Sequence, residues 1–458
     1  MFSLRDAFQH LSGARLVGDG SVAIASVCTD TRAIAPGALF VALRGERFDA
    51  HAFLDQAFAA GAVAAVVERL PQQLPGPLVL VPDTRRALGE IAAGWRARFQ
   101  LPLIAVTGSN GKTTVKEMIG AILAQAFGES ARLATAGNLN NEIGVPLTLF
   151  RLTAAHRAAV LELGMNRPGE IAWLAQIAAP SVALVNNAQR EHQEFMGSVR
   201  ATALENGEAI RALPPDGVAV FPGDDPHTAL WQSIAQPRRC LRFGLSPECE
   251  VGADAQAQPG GFAMRIGQDR IEVRLAIAGA HNVRNALAAA ACASALGIAP
   301  AIIAQGLAAF RPVQGRLACA HSRAGARLID DSYNANPDSV LAAIDVLAAE
   351  PAPQVLILGD MGEVGAEGPR YHREVVEYAL RRGIPRLLGL GQAIGDAVRE
   401  ASHPGFEAFE AIEPLLARAA ELAVAPATVL VKGSRFMRME RVVAALAGAA
   451  NAATAGAH

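Results

Sequence analysis

At residues 107–114 the chain reads Thr107-Gly108-Ser109-Asn110-Gly111-Lys112-Thr113-Thr114, between a predicted strand, Leu103–Val106, and a predicted helix, Thr113–Phe127. Backbone N–H groups at a helix start attract anionic oxygens, glycines let the backbone approach, a lysine reaches terminal phosphates, and a threonine hydroxyl binds Mg²⁺. The segment departs from the pattern G-x-x-x-x-G-K-[ST], because Val106 stands where the first glycine is required. A simple turn that starts a helix is the alternative. The strand before the loop and the helix after it favour a nucleoside triphosphate site.

Strands and helices alternate on both sides of this loop, which predicts an α/β fold with a mostly parallel central sheet. Two segments, Gln100-Leu101-Pro102 and Phe310-Arg311-Pro312, interrupt the alternation. We therefore predict three domains: a small N-terminal α/β domain at 1–99, a central P-loop domain at 100–312, and a C-terminal Rossmann-like domain at 313–458. Within the central domain, residues 238–277 predict a β insertion, and the Ala-rich helix Asn282–Leu296 is expected to close the domain.

The other predicted strands are short apolar runs bounded by turn residues. They are Val22–Val27, Ala38–Leu43, Ala62–Val67, Leu78–Val81, Ala158–Leu163, Ser181–Asn186, Arg327–Asp331, Val355–Leu358, Arg386–Leu390 and Val429–Val431. Two further helices, Thr84–Phe99 and the amphipathic Pro337–Ala349, complete the prediction.

The composition excludes several classes of protein. Apolar residues make up 51% of the 458 residues and charged residues 18%, which allows large folded cores. No segment approaches the ~20 apolar residues that a membrane-spanning helix needs, and a net charge of −2 gives no basic surface for nucleic acid. Five scattered cysteines without metal-binding spacing predict free thiols. We expect a cytoplasmic protein that neither binds nucleic acid nor inserts into a membrane.

Lysine is rare in this chain, which contains only Lys112, Lys116 and Lys432. A compositional drift towards arginine explains the rarity. It does not explain the two lysines that lie within motifs, Lys112 in the loop and Lys432 in Lys432-Gly433-Ser434-Arg435. A lysine ammonium is a compact point charge that the planar guanidinium of arginine cannot replace at a crowded phosphate. We therefore expect both lysines to be functional.

Together these segments resemble the Mur ligase family, three-domain enzymes that build the peptidoglycan stem peptide on a UDP-sugar. The loop is similar to the family's phosphate site, and the resemblance spans roughly residues 29 to 440. The other matching segments are Thr29–Arg32, Pro36–Gly45, Asp49–His51, Gly279–Ala286, Gly315-Arg316 and Lys432–Arg435. Two more, Gly137–Pro146 and Asp330–Pro337, resemble the family member that adds D-alanyl-D-alanine. The tetrapeptide Asp-Asn-Pro-Arg, expected of the diaminopimelate-adding member, does not occur.

The resemblance implies an ATP-dependent ligase with ATP and Mg²⁺ as cofactors. Its implied substrates are UDP-N-acetylmuramoyl-tripeptide and D-Ala-D-Ala, and a monomer is expected. The residues expected to act in catalysis are Lys112, Glu162, His192 and Lys432. Those expected to bind ATP are Gly108, Ser109, Asn110, Gly111, Lys112, Thr113, Thr114, Asn285, Arg316 and Asp331. The expected metal ligands are Thr113, Glu162 and His192, and the expected substrate contacts are Thr31, Arg32, Asn141, Tyr333, Asn334 and Asn336.

One segment departs from the family pattern. Many members carry a carbamylated lysine in a Lys-Gly-Glu segment downstream of the histidine, whereas this chain has Glu205-Asn206-Gly207-Glu208, with Asn206 at the lysine position. No lysine occurs between Lys116 and Lys432, so a carbamate cannot form in this region. We expect an amide oxygen, water or a nearby carboxylate to replace it, with Glu205 and Glu208 as candidates, and activity to be indifferent to bicarbonate.

Three alternative functions compete with this interpretation. A folylpolyglutamate-type ligase has the same architecture but does not bind a UDP-sugar. A P-loop switch or motor ATPase would need no amine acceptor. A dehydrogenase would need G-x-G-x-x-G, but in Gly389–Gly395 the third glycine position is occupied by Ile394.

Overall fold

The computed structural model describes residues 1–9, 11–46, 48–254 and 261–447. It is an α/β protein with three large sheets and a small two-stranded one, which confirms the predicted fold class. None of the helices in these residues combines the length and the apolar character that crossing a membrane requires.

The first sheet has five strands and is parallel except at one edge. The elements of this region are β1 (Phe2–Ser3), α1 (Leu4–Phe8), β2 (Arg15–Val17), β3 (Ala23–Ile24), β4 (Ser26–Cys28), β5 (Ala38–Val41), α2 (Leu54–Ala59), β6 (Ala62–Val67), β7 (Leu78–Leu80) and α3 (Thr84–Arg96). The strand order is β2-β7-β6-β5-β4, and only β2 runs antiparallel. Helix α3 begins after Asp83, whose carboxylate accepts hydrogen bonds from two of the free N–H groups at the helix start.

The central sheet has nine strands, and α4 follows the phosphate loop directly. The elements are β8 (Leu103–Thr107), α4 (Lys112–Phe127), β9 (Arg132–Ala134), α5 (Gly144–Leu149), β10 (Ala158–Glu162), α6 (Glu170–Ala178), β11 (Val182–Val185), α7 (Gln193–Met196), α8 (Val199–Arg211), β12 (Val218–Pro222), α9 (Thr228–Ala235), β13 (Arg239–Gly244), β14 (Val251–Ala253), β15 (Phe262–Ile266), β16 (Asp269–Val273), α10 (Ala280–Ala295) and α11 (Pro300–Ala309). The order is β16-β15-β14-β13-β12-β11-β8-β10-β9.

Residues 238–277 contain strands as predicted, but the prediction that they are an insertion is wrong. Strands β13 and β14 continue the parallel sheet beyond β12, and only β15 and β16 are antiparallel. The alternating apolar residues of this stretch, such as Phe262 and Met264, pack into the same core as helix α10. These strands continue the pairing that begins at β12, and their side chains pack on the central core. They therefore extend the main sheet. Helix α10 does not close the domain either, since α11 follows it and packs against α4.

The third large sheet has six strands. The elements are β17 (Ala318–His321), β18 (Arg327–Asp331), α12 (Pro337–Ala348), β19 (Gln354–Gly359), α13 (Gly368–Arg381), β20 (Arg386–Leu390), α14 (Gln392–Ala401), β21 (Phe406–Phe409), α15 (Ile412–Leu422), β22 (Thr428–Lys432) and α16 (Glu440–Leu446). The order is β17-β18-β22-β19-β20-β21, with β17 alone antiparallel.

Parallel strands bring the chemically important segments to common sheet edges, as is usual for ligand sites in α/β folds. Strands β10 and β11 flank β8, so the phosphate loop, Glu162 and the segment after β11 leave the central sheet on one side. In the third sheet, β18 and β22 are neighbours, and Asp331 is the register partner of Lys432. The two edges contribute to the same cavities, described next.

Candidate active site

The phosphate loop adopts a backbone conformation that two of its glycines permit. Gly108 has φ 132° and Gly111 has φ 81°, in the region that L-residues avoid. A Cβ on Gly111 would lie 2.5 Å from Asn285 Oδ1, so the loop also lacks room for a side chain there. Gly111 precedes α4, and the N–H groups of the first helical turn are available to an anion.

Lys112 points back over its own loop. Its Nζ donates to the carbonyl oxygens of Gly108 at 2.6 Å and Ser109 at 3.1 Å, and to Glu191 Oε1 at 3.1 Å. All three ammonium hydrogens are therefore engaged within the protein. Phosphate groups that bind Lys112 must replace at least one of these partners.

A polar segment after β11, residues 186–192, fixes the loop from the other side. Asn187 Oδ1 accepts from the Asn110 backbone N–H at 2.9 Å, and Gln189 Oε1 accepts from Asn110 Nδ2 at 2.6 Å. Asn186 Nδ2 donates to the Asn110 carbonyl at 2.8 Å. Sequence reasoning missed these contacts, although a run of amides directly after a buried strand was a usable signal.

Glu162 is the last residue of β10, and its side chain is buried. Oε1 accepts from Asn140 Nδ2 at 2.7 Å, while Oε2 is buried without a hydrogen-bond partner among the described residues. An unpaired buried carboxylate oxygen is costly unless a cation or donor binds it. Glu162 lines one cavity with Thr113 and Lys112, and carboxylate and hydroxyl oxygens suit Mg²⁺. These residues fit the expected metal.

No group of three or more His, Cys, Asp or Glu side chains arranged for a metal occurs in residues 1–9, 11–46, 48–254 and 261–447. An ion beside Glu162 would therefore take several of its ligands from Thr113, nucleotide oxygens and water, which is usual for Mg²⁺.

His192 lies between two carboxylates. Its Nδ1 is 2.6 Å from Glu363 Oε2 of the third domain, and its Nε2 is 3.6 Å from Glu191 Oε1. The contact with the His192 ring holds the pKa of Glu363 below its usual value. His192 lines the same cavity as Glu162, and its role as a metal ligand stays a prediction.

The third domain adds its side chains directly to the loop. Arg316 Nη2 donates to Thr113 Oγ1 at 3.3 Å, and its guanidinium lies 4.2 Å from the ring centroid of Tyr333. Asn336 Nδ2 donates to Asn110 Oδ1 at 2.9 Å. Lys432 Nζ, almost fully buried, pairs with Asp331 Oδ2 at 2.5 Å.

Two cavities meet at the loop. One, of about 320 Å³, is lined by Asn285, Asp331 and Thr114 among others. The second, of about 380 Å³, contains the other expected catalytic and substrate residues. These are Ser109, Lys112, Thr113, Asn141, Glu162, His192, Tyr333, Asn334 and Asn336. Asn110, Gly111, Arg316 and Lys432 line both, so most predicted residues converge at this junction.

Gly108 lines neither cavity, and Thr31 and Arg32 line a separate cavity of about 590 Å³ in the first domain, with Phe48 and Phe53. Asp30 forms an exposed ion pair with Arg32 at 2.7 Å, and this contact lowers the pKa of Asp30 to about 2. The cavity at Thr31 and Arg32 shares no lining residue with the two cavities at the phosphate loop. A role of these residues in binding a substrate stays a prediction.

The two carboxylates expected to compensate for Asn206 do not face the cavities. Glu205 accepts from the backbone N–H groups of Gly169 and Ile171 at the start of α6, and Glu208 pairs with Arg211. Asn206 is fully buried and accepts from Thr107 Oγ1 at 2.6 Å. Glu205 therefore contacts the start of α6 and Glu208 contacts its own helix, so neither carboxylate is directed to the cavities. The expectation for Glu205 and Glu208 is wrong.

Comparison with known proteins identifies relatives over nearly the whole chain. Three family models match: Mur ligase family, catalytic domain at 23–96; Mur ligase middle domain at 106–293; and Mur ligase, glutamate ligase domain at 315–435. The UDP-N-acetylmuramoyl-tripeptide–D-alanyl-D-alanine ligase of Escherichia coli is 43% identical, covering 93% of this chain and 94% of its own. The crystal structure of MurF from Acinetobacter baumannii superposes with TM-score 0.90 at 35% identity, covering 97% and 98%. MurF from Thermotoga maritima in complex with ADP gives TM-score 0.81 at 26% identity, covering 92% and 96%.

Proposed function

This chain belongs to the Mur ligase family, and we propose that it joins D-alanyl-D-alanine to UDP-N-acetylmuramoyl-tripeptide with ATP, in peptidoglycan precursor synthesis. The observation that carries the proposal is the identity of 43% to a ligase of that name over 93% of the chain. The junction of two cavities at the phosphate loop supports it, because such a reaction needs a nucleotide and two peptide substrates close together.

Amide formation from a carboxylate requires activation, because a carboxylate oxygen is a poor leaving group. Transfer of the γ-phosphoryl group to the tripeptide carboxylate gives an acyl phosphate, which the amine of D-alanyl-D-alanine attacks with release of phosphate. Carboxylate and triphosphate repel each other, by ~4 kcal/mol per unit charge pair at 4 Å and an effective dielectric constant near 20. Lys112, Arg316 and Lys432 supply positive charge at the cavity junction and reduce this repulsion.

Thr113 and Glu162, with His192 nearby, are the residues that would hold Mg²⁺. The ion would neutralise phosphate charge and orient the γ-phosphoryl group. The protein itself positions the loop through residues 186–192 and surrounds the reacting groups with side chains of two domains. The incoming amine, with a reference pKa of about 8, must also lose a proton. The carboxylates of the second cavity provide anions beside which it can do so.

The remaining predictions follow from this assignment. We propose that the first-domain cavity at Thr31 and Arg32 binds the UDP end of the substrate, and that Asn141, Tyr333, Asn334 and Asn336 bind its peptide end or the dipeptide. We propose the domain limits 1–99, 100–312 and 313–458; the matches at 23–96, 106–293 and 315–435 support them. We further propose a monomer that acts in the cytoplasm, where ATP is available.

Phosphate release from ATP tests the function directly. The assay contains Mg²⁺, ATP and UDP-N-acetylmuramoyl-tripeptide, with and without D-alanyl-D-alanine, and mass spectrometry identifies the product. We expect release to require both substrates and the product to gain the dipeptide mass minus water. Phosphate release that is independent of the dipeptide would instead support a simple ATPase.

A further inference from the structure

We propose that Glu191 is a second carboxylate ligand for Mg²⁺ in the nucleotide-bound enzyme, and that Lys112 neutralises it before nucleotide binds. The inference rests on the proposed function, because it assumes that ATP and Mg²⁺ enter at the phosphate loop. It concerns a residue that the sequence motifs do not single out.

Glu191 is held at the site from both sides. It is 9% exposed, and it follows a segment that is hydrogen-bonded to the phosphate loop through Asn187 and Gln189. Arg190, the preceding residue, binds Asp338 of the third domain with its backbone N–H at 2.8 Å. The carboxylate of Glu191 therefore has little freedom to leave the cavity that it shares with Glu162 and Thr113.

Four glutamates line this cavity, and two of them are paired with groups outside the phosphate loop. Glu142 forms an ion pair with Arg85 at 2.7 Å, and Glu170 accepts from the backbone N–H of Asn166 at 2.7 Å. Glu162 has one buried oxygen without a partner. Glu191 has Lys112 as its cation, at 3.1 and 3.3 Å. Glu162 and Glu191 are thus the two carboxylates of the cavity that can accept a metal ion.

Nucleotide binding moves Lys112, the residue whose ammonium group pairs with Glu191. When Lys112 turns towards the phosphates, the carboxylate of Glu191 loses its ammonium partner while remaining buried. A buried charge left without a partner is strongly unfavourable. A divalent cation that arrives with the nucleotide removes this cost, and two carboxylates with the Thr113 hydroxyl form an all-oxygen ligand set of the kind that Mg²⁺ prefers.

This arrangement also accounts for Asn206. The amide at this position is fully buried and hydrogen-bonded to Thr107, and it lines neither cavity. No lysine is available in the region to form a carbamate. Glu191 provides negative charge from a neighbouring loop instead, so this chain does not need a charged group on α8.

The test measures metal binding rather than turnover. Mn²⁺ serves as the probe for the Mg²⁺ site, and its free concentration is followed by electron paramagnetic resonance with a non-hydrolysable ATP analogue and the full-length chain. Glu191→Gln keeps the shape and removes the charge, Glu191→Asp keeps the charge, and Glu208→Gln removes a glutamate that pairs with Arg211 on its own helix, α8. Thermal unfolding without metal verifies that each variant is folded.

We expect Glu191→Gln to weaken Mn²⁺ binding by about ten-fold or more, a size typical for groups that support a metal site. Glu191→Asp should retain part of the affinity and Glu208→Gln all of it. Metal-free binding of the analogue should not weaken in Glu191→Gln, because Lys112 is then released. Wild-type Mn²⁺ affinity in Glu191→Gln, with tighter nucleotide binding, would show that Glu191 only restrains Lys112 and would overturn the proposal.

The ligase assay separates this inference from the proposed function. In one outcome, the wild-type protein fails to make the dipeptide adduct, while the Glu191→Gln variant binds Mn²⁺ more weakly than the wild type. Glu191 is then a metal ligand, and the substrate assignment is wrong. If the wild-type protein makes the adduct and Glu191→Gln binds Mn²⁺ normally, only the inference about Glu191 is wrong.

Discussion

At the scale of single residues, Lys112 illustrates why charge alone does not define a phosphate contact. One nitrogen donates to acceptors of Gly108, Ser109 and Glu191. We predict that Lys112→Arg lowers kcat by about 10²-fold or more, because a planar guanidinium cannot occupy this compact position and loses a transition-state contact. Steady-state kinetics measures the loss, and nucleotide binding verifies that the loop is intact. Near-wild-type kcat in Lys112→Arg would contradict this account of the loop.

A second residue predicts how stability depends on pH. His372 is buried, accepts from the Met361 N–H at Nε2 and lies with Nδ1 2.7 Å from the Gly368 carbonyl, so it is held in the neutral form. Burial lowers the pKa of His372. Below the unfolded-state pKa of about 6.5, the unfolded chain binds a proton that the folded chain excludes. The contribution of His372 to the free energy of unfolding must therefore fall as the pH decreases below that value, and it is constant above it.

Denaturant titrations between about pH 5 and pH 8 measure this effect. The His372→Gln variant should be less stable overall, but its free energy of unfolding should depend less steeply on pH. The part of the slope that His372 causes is at most ~1.4 kcal/mol per pH unit. His321→Gln, on exposed β17, is the matched control and should keep the wild-type slope. Equal slopes in wild type and His372→Gln would show that another group causes the acid sensitivity.

The residues of the site differ in how far the sequence could reveal them. Lys112 lies in a loop whose local pattern already indicates phosphate chemistry, whereas Glu162 and Arg316 were expected only from the resemblance to the Mur ligase family. Glu191 does not, because its importance arises from a contact with Lys112 across 79 positions of the chain. Asn206 was predicted to be a departure from the family pattern, but its buried hydrogen bond with Thr107 depends on packing that no local pattern encodes.

At the scale of elements, the segment after β11 connects the phosphate loop to the third domain. Arg190 forms ion pairs with Asp338 of α12 at 2.6 Å and Glu374 of α13 at 2.7 Å, and it stacks on Tyr371. We predict that Arg190→Ala lowers kcat by about ten- to a hundred-fold, because misplacing catalytic groups by ~1 Å can have that effect. Nucleotide affinity should change much less, since the loop itself remains in the central domain.

Arg370→Ala is the matched control for this connection. Arg370 also contacts Tyr371, but it belongs to the third domain and its ion pair with Glu367 is exposed. We expect this variant to keep wild-type kcat in the same phosphate-release assay. A similar loss in both variants would mean that Tyr371 packing, rather than the connection between domains, is what matters.

Strand and helix prediction succeeded where the pattern was continuous. The predicted strands Ala62–Val67, Arg327–Asp331 and Arg386–Leu390 coincide with β6, β18 and β20. Edge strands β17 and β21 were not predicted, because they are short and partly exposed, and an apolar run is the main strand signal. The partners of β13 and β14 could not be predicted either, since periodicity does not specify which sheet a strand joins.

At the scale of the whole molecule, the site is assembled from two domains whose contacts at the phosphate loop are polar, while apolar residues of both, such as Ile277 and Val346, share one core cluster. Asn336 binds Asn110, Arg316 binds Thr113, and His192 lies against Glu363. Relative motion is the default expectation for domains within one chain unless their interface is large and hydrophobic. ATP and the UDP-linked substrate would each contact both sides of the junction, so they should favour the closed arrangement.

We therefore predict that small-angle scattering with an ATP analogue and UDP-N-acetylmuramoyl-tripeptide fits the arrangement described above, and that the ligand-free protein is more extended. The physical reason is that the ligand-free junction relies on a few partly buried ion pairs, such as Arg190–Asp338, whereas a ligand bound to both sides adds its own affinity to the closed state. Arg190→Ala should extend the ligand-free protein further and leave the ligand-bound radius of gyration unchanged. An identical radius in all four samples would mean that the two domains form one rigid body, in which case Arg190 would act on the local position of Glu191 and not on domain closure.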